Sequence, residues 1–153
     1  ELEGESSEFL QSLDFSYNDL SELPKTLHAG NVPYLYGVEL SYNEFSKFPY
    51  QPLNCAGLTV FGVRGQRNKA GERCLSEWPQ GVYQHVGLRG LYLGSNDLGK
   101  IDDTISPICY YLEVSDNPKL ILDASNVCYE YSIGAYYLIY DKSQDIRGCE
   151  LMK

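Results

Sequence analysis

Basic residues are scarce in this chain. Lys and Arg number 12 against 21 Asp and Glu, which leaves a formal charge of −9 and a sequence pI near 4.6. A nucleic-acid backbone or an anionic bilayer calls for a basic stripe, so neither is expected as a partner. No run approaches the ~18 apolar residues that a transmembrane helix needs. Histidine is represented only by His28 and His85, and the five cysteines (55, 74, 109, 128 and 149) include no C-x-x-C pair. A zinc centre wants close ligand pairs, so no metal or cofactor is expected. Free, buried thiols are the plainer reading of the cysteines, with one disulfide as the alternative. There is no G-x-S-x-G elbow, P-loop or H-E-x-x-H, and the two histidines stand far apart, so no catalytic activity is expected. No D-x-D-x-D-G loop accompanies Asp102–Asp103 or Asp116 to suggest calcium. An N-x-S/T acceptor site is also lacking, which disfavours a glycosylated ectodomain.

What the chain has instead is repetition. The stretch from Leu10 to Leu27 reads L-x-x-L-x-L-x-x-N-x-L-x-x-L-P-x-x-L, with Leu10, Leu13, Phe15, Asn18, Leu20, Leu23, Pro24 and Leu27 at the fixed places. The first part alternates as a short strand does, and the Asn closes a turn that sends the chain back to begin again. Leu35, Val38, Leu40, Asn43, Phe45 and Phe48 repeat the pattern, as do Leu88, Leu91, Leu93, Asn96, Leu98, Ile101 and Ile105. Leu58, Phe61 and Val63 belong to a third copy with Gln66 where Asn is expected, followed by an insertion of about seven residues before Leu75, Trp78, Pro79 and Val82 resume. Cys109, Leu112, Val114 and Asn117 form a fifth copy. Ala135, Leu138, Tyr140 and Ser143 form a weaker sixth. Turn positions recur at 25, 23, 30, 21 and 26 residues.

These residues resemble the leucine-rich repeat superfamily, over about Leu10 to Ile146. The Leu-Pro, Phe-Pro and Trp-Pro steps at 23–24, 48–49 and 78–79 look like its bacterial and typical subclasses. The tyrosine-rich tail LIYDKSQDIRGC is similar to endings of secreted repeat proteins of gut Bacteroidetes. The resemblance implies an α/β solenoid of about six repeats with a parallel concave sheet. It also implies a lipid-anchored or secreted envelope protein with further sequence before Glu1. The chain begins without Met and reads as a piece of something longer. Its single repeat domain over 1–153 divides into a lead-in or partial cap at 1–9 and repeats at 10–34, 35–57, 58–87, 88–108, 109–134 and 135–153.

From this template Asn18, Asn43, Asn96 and Asn117 are expected to stack as a ladder that satisfies backbone groups at the turns. Gln66 and Ser143 are expected to depart from it. The Pro-bearing returns should be irregular or 3₁₀, with a short helix over 123–131. Strand alternation puts Asp14, Glu39, Gly62, Tyr92, Glu113 and Ile139 in one exposed column. Ser12, Gly37, Val60, Gly90, Tyr111 and Tyr137 make a second column, and Ser16, Ser41, Arg64, Gly94, Ser115 and Asp141 a third. Candidate ligand contacts follow: the carboxylates Asp14 and Glu39 early in the sheet, Tyr92, Tyr111 and Tyr137 around Glu113 later, and Arg64 of the third column. Tyrosine gives stiff, amphipathic contact area, suited to a protein or glycan partner; cross-strand packing with nothing bound is the alternative. The insertion, with Arg64, Arg67, Lys69 and Arg73, is the one basic spot and a second candidate, against a solvated excursion. The functional expectation is a binding module, extracellular or in a bacterial envelope. A structural spacer within a larger envelope protein is the alternative, and the cysteines keep an intracellular interaction domain as a third.

Overall fold

The computed structural model describes residues 9–82, 85, 87–100, 111–123, 137–143 and 145–147. Residues 1–8 of the expected lead-in at 1–9 and the inward positions Ile101, Ile105, Cys109 and Ala135 lie outside these, as do Cys128 and Cys149.

Each repeat contributes a three-residue strand: β1 (Ser12–Asp14), β2 (Gly37–Glu39), β3 (Val60–Gly62), β4 (Gly90–Tyr92), β5 (Tyr111–Glu113) and β7 (Tyr137–Ile139). They pair in parallel, in that order, in one six-stranded sheet. Register follows the repeat: Leu13, Val38, Phe61, Leu91, Leu112 and Leu138 are successive partners along its middle. With alternate side chains on opposite faces, the central residues of β2 to β5 face inward. Val38, Phe61, Leu91 and Leu112 are buried there with Leu40, Val63, Leu93 and Val114. The returns close the core from behind with Leu23, Leu27, Phe45, Phe48, Leu75, Trp78 and Leu98. Phe48 meets Phe61 edge-on, with ring centroids 5.2 Å apart.

The returns are short because proline ends them early. Leu27 N–H bonds back to Pro24 O at 2.9 Å, and Gln51–Asn54 is a 3₁₀ helix with a proline in its first turn. The convex side is not wholly irregular, however. Here β6 (Ile121–Asp123) and β8 (Asp145–Arg147) pair in parallel as a second sheet, and Lys100 bridges to Ile121. Asp123 thus belongs to a strand rather than to the expected helix, whose remainder lies outside the described residues.

The ladder forms, and it has one more rung than expected. Asn43, Asn96 and Asn117 are buried. Asn43 Oδ1 accepts from Leu20 N–H at 3.0 Å, while its Nδ2 donates to Phe15 O (2.9 Å) and Leu40 O (3.0 Å), so it ties two repeats together. Gln66 does not depart from the series. It is fully buried, accepts from Phe45 N–H at 3.0 Å, and donates to Leu40 O (3.0 Å) and Arg64 O (2.9 Å). The longer side chain reaches the same class of backbone group. Asn18, in the first repeat, is exposed and bonds only within its own turn.

The residue before each rung is left-handed: Tyr17 (φ 57), Tyr42 (φ 60), Gly65 (φ 62), Ser95 (φ 60) and Asp116 (φ 53). Only glycine takes this conformation freely, so four of the five turns carry backbone strain that the ladder bonds hold in place. Cys55 is buried and Cys74 half-buried, both as free thiols, and burial pushes each thiol pKa upward.

Candidate binding face

The columns line up on one face as strand alternation requires, but Glu113 and Ser41, expected to be exposed, are buried under their neighbours at 6% and 3% exposure. Asp14, Glu39, Gly62, Tyr92, Glu113 and Ile139 are register partners, and so are Ser12, Gly37, Val60, Gly90, Tyr111 and Tyr137. The side chain of Tyr137 lies outside the described residues.

Along the first column an acid followed two residues later by serine recurs. In each case the carboxylate folds back onto that serine. Ser16 N–H and Oγ donate to Asp14 Oδ1 at 2.9 and 2.5 Å. Ser41 N–H donates to Glu39 Oε1 at 2.9 Å and Ser115 N–H to Glu113 Oε1 at 3.1 Å, each joined by its hydroxyl. The Asp14 carboxyl pKa is held below its ordinary value by the Ser16 hydroxyl and then by its backbone N–H.

Arg64 occupies the serine place on the third turn and reaches sideways in both directions. Its Nε donates to Glu113 Oε2 at 2.9 Å, its Nη1 lies 3.7 Å from Glu39 Oε2, and its backbone N–H donates to Ser41 Oγ at 2.9 Å. The guanidinium carbon sits 4.2 Å from the centroid of the Tyr92 ring. Three glycines let this array lie flat. A methyl group at Gly62 would strike the Glu39 carboxylate, one at Gly94 the Glu113 carboxylate, and one at Gly90 would crowd the Tyr92 ring. Gly94 N–H also donates to Glu113 Oε2 at 3.1 Å. At Arg64, Tyr92 and Glu113 the array is therefore held before any ligand arrives, with Glu39 at its solvent edge. It joins early Glu39 to late Tyr92 and Glu113, two groups that the repeat pattern keeps apart. Asp14 stands outside it. Beside it Tyr111, Val60 and Ile139 are 43%, 40% and 45% exposed.

The roles of Gly62, Gly90, Gly94, Ser41 and Ser115 were not apparent from their residue types. The recurring acid-x-Ser at 14/16, 39/41 and 113/115 was the available signal. Substitution separates the two windows. Glu39 is half-exposed and can swing away, so Gly62→Ala should cost less than about 1 kcal/mol, offset by the entropy the unfolded chain loses. Glu113 is held on every side, so Gly94→Ala should cost about 2 kcal/mol in urea titrations. Equal costs would mean that Glu113 is not held.

The insertion is a small hairpin. Arg67 and Arg73 pair as an antiparallel bridge, and Asn68 Oδ1 accepts from Ala70 and Glu72 N–H at 2.9 and 3.0 Å. The two arginines turn inward onto the next turns. Arg67 Nη1 donates to Ser95 O at 2.6 Å. Arg73 Nη1 donates to Asn96 O at 2.7 Å, and its Nη2 to Asp116 Oδ1 at 2.6 Å. The Ser95 hydroxyl and then Arg73 hold the Asp116 carboxyl pKa down. Lys69 is exposed at the loop tip. The structure thus separates the four basic residues: Arg64 on the sheet, Arg67 and Arg73 clamping the turns, and Lys69 in solvent.

Among the described residues no three His, Cys, Asp or Glu side chains converge as a metal site would require, and no helix is long and apolar enough to cross a membrane.

The Leucine Rich Repeat family model matches residues 9–29. A solved leucine-rich repeat protein from Bacteroides thetaiotaomicron is 43% identical, with a TM-score of 0.86 over 93% of this chain and 17% of its own. The chain is a leucine-rich repeat protein. A second such structure, from Bacteroides eggerthii, is 47% identical with a TM-score of 0.83, over 92% of this chain and 23% of the other. No curated protein matches. This leucine-rich repeat chain therefore spans about a fifth of the solved chains it resembles. Domains of this family are typically binding modules and generally non-catalytic.

Proposed function

We propose that this leucine-rich repeat domain is a non-catalytic binding module, which holds a protein or glycan on its concave sheet at a bacterial surface or in the cell envelope. The observation that carries the reading is the Glu39–Arg64–Glu113 array over Tyr92, ordered in advance and flanked by half-exposed Tyr111. Polar groups held in place by their neighbours lose little freedom on binding, and tyrosine adds contact area at low entropic cost. Placement outside the cytoplasm is supported by the resemblance of the tyrosine-rich tail to secreted repeat proteins. Screening the 153-residue chain against a glycan array and against purified envelope proteins tests the reading. The partner found should bind Tyr111→Ala about tenfold more weakly, a loss of about 1.4 kcal/mol. Unchanged binding by Tyr111→Ala and by Tyr92→Ala would remove the sheet from consideration.

The spacer reading draws on the much greater length of the solved relatives, which leaves room for another domain to cover the same face. Nitration with tetranitromethane decides between them. A recognition face leaves Tyr111 reactive in the full-length protein, and a spacer protects it.

A further inference from the structure

Two carboxylates lean toward Arg64 from opposite sides of the concave sheet, and only one of them closes on it. The Glu113 carboxylate reaches from β5 over Gly94 and the Glu39 carboxylate from β2 over Gly62, where a Cβ would collide with each. Both are tied at Oε1 to the serine two residues on. At Oε2 they part. Glu113 Oε2 accepts from Arg64 Nε and from Gly94 N–H, and its side chain is nearly buried. Glu39 Oε2 lies 3.7 Å from Arg64 Nη1, beyond hydrogen-bond reach, and has no other partner among the described residues. Neither Nη1 nor Nη2 of Arg64 donates a hydrogen bond among the described residues, although the guanidinium is held against the Tyr92 ring. An acceptor and a set of donors therefore stand side by side, half-exposed, with hydrogen-bonding capacity that the fold does not use.

Charge and hydrogen-bond chemistry decide what fits there. Two carboxylates against one guanidinium leave the array net negative, so an anion is repelled, and Arg64 already holds the cation's place over Tyr92. The group bound must be neutral, giving a proton to Glu39 Oε2 while accepting from Arg64 Nη1. A hydroxyl does both. A carboxamide from a protein partner also does both, but the surroundings favour the hydroxyl. Protein interfaces deplete charged residues at their centre and gather aromatic ones there. On this face the charges are central, and the large exposed apolar side chains among the described residues are Val60, Tyr111 and Ile139 beside them. Val60 pairs with Gly37 and Gly90, so it stands between two strands without side chains at that level, diagonal to Glu39. A pyranose offers the matching surface, with C–H groups on its flat side and adjacent hydroxyls around its edge. Resting on the reading of the concave sheet as a binding face, we infer that the Glu39–Arg64 pair is a sugar subsite. It binds adjacent hydroxyls of a neutral glycan, with Val60 against the ring.

The test is a calorimetric titration of the 153-residue chain with four neutral sugars: cellohexaose, laminarihexaose, maltohexaose and mannohexaose. At least one should bind saturably. Its per-O-methylated form keeps the chain but has no O–H to donate, and should bind at least about tenfold more weakly. Glu39→Gln still accepts from Ser41 N–H and removes the charge, so its Tm should match the parent's. It should bind the same sugar about fivefold more weakly, because a hydrogen bond to a charged acceptor is roughly twice as strong as one to a neutral acceptor. Failure of all four sugars to bind, equal binding of the methylated form, or unchanged affinity in Glu39→Gln would each overturn the assignment. The concave face outlives that result if a purified envelope protein binds and Tyr111→Ala weakens it. It falls as well if Tyr111→Ala and Tyr92→Ala both leave that binding unchanged.

Discussion

Asn96→Ala should lower the unfolding free energy by about 4 kcal/mol, a large part of the roughly 5–15 kcal/mol that holds a domain together. The side chain is fully buried. Its Nδ2 donates to Val63 O at 2.8 Å and Leu93 O at 2.9 Å, and its Oδ1 accepts from Gln66 N–H at 2.8 Å. Truncation strands Val63 O and Gln66 N–H, at about 1–3 kcal/mol for each left without a partner, while Leu93 O keeps its bond from Asn117 Nδ2 at 3.0 Å. Asn96→Asp is no remedy, because a carboxylate would set acceptors against the Val63 and Leu93 carbonyls. Asn18→Ala supplies the control. Its carboxamide donates to Phe15 O and Ser16 O at 2.9 and 3.0 Å, but the site is exposed and water can replace it. A cost under about 1 kcal/mol is expected there. Urea titrations with unchanged m-values would give both figures, and similar losses at the two sites would end the account of the ladder as a tie between repeats.

The same contrast shows why the fold could be read from the sequence and the face only in part. Burial of Val38, Phe61, Leu91 and Leu112 follows from a two-residue alternation repeated at a fixed place, and parallel register then aligns the exposed columns without further information. That rule says which side of the sheet a residue takes. It does not say how far a long side chain reaches along the sheet. Arg64 was placed both on the sheet face and with the basic insertion, but neither placement says that it pairs with Glu39 and Glu113, the second 49 residues away. Gln66 looked like a failed asparagine because residue type was matched without side-chain length. The pairing of Ile121–Asp123 with Asp145–Arg147 joins segments that share no more than an apolar residue at the middle place, Leu122 and Ile146. Glycine was least legible. Gly62, Gly90 and Gly94 look like weak strand residues until the side chains lying over them are seen.

Removing the guanidinium tests whether the array is held together by charge. Arg64→Met keeps an unbranched stem over Tyr92 and deletes the cation, leaving Glu113, whose side chain is 8% exposed, bound only by Ser115 and Gly94. A buried carboxylate that loses its counter-charge commonly costs about 3–5 kcal/mol. Arg64 is 31% exposed, so solvent screens part of that, and a loss of about 2 kcal/mol is expected. Glu113→Gln should cost a similar amount: the neutral amide needs no counter-charge, but its single oxygen can accept from only one of the Ser115 and Gly94 N–H groups, and its NH2 turns a donor toward the other. In Arg64→Met/Glu113→Gln the two losses should fall short of their sum by about 1 kcal/mol, which a double-mutant cycle measures. Arg64→Lys should restore little. An ammonium lacks the planar fork that lets Nε and Nη1 address two carboxylates while the flat face rests on tyrosine. Strict additivity in the cycle, or full rescue by lysine, would show that Glu39, Arg64 and Glu113 are neighbours on the sheet without being a unit, and the concave face would lose its claim to be built in advance of its ligand.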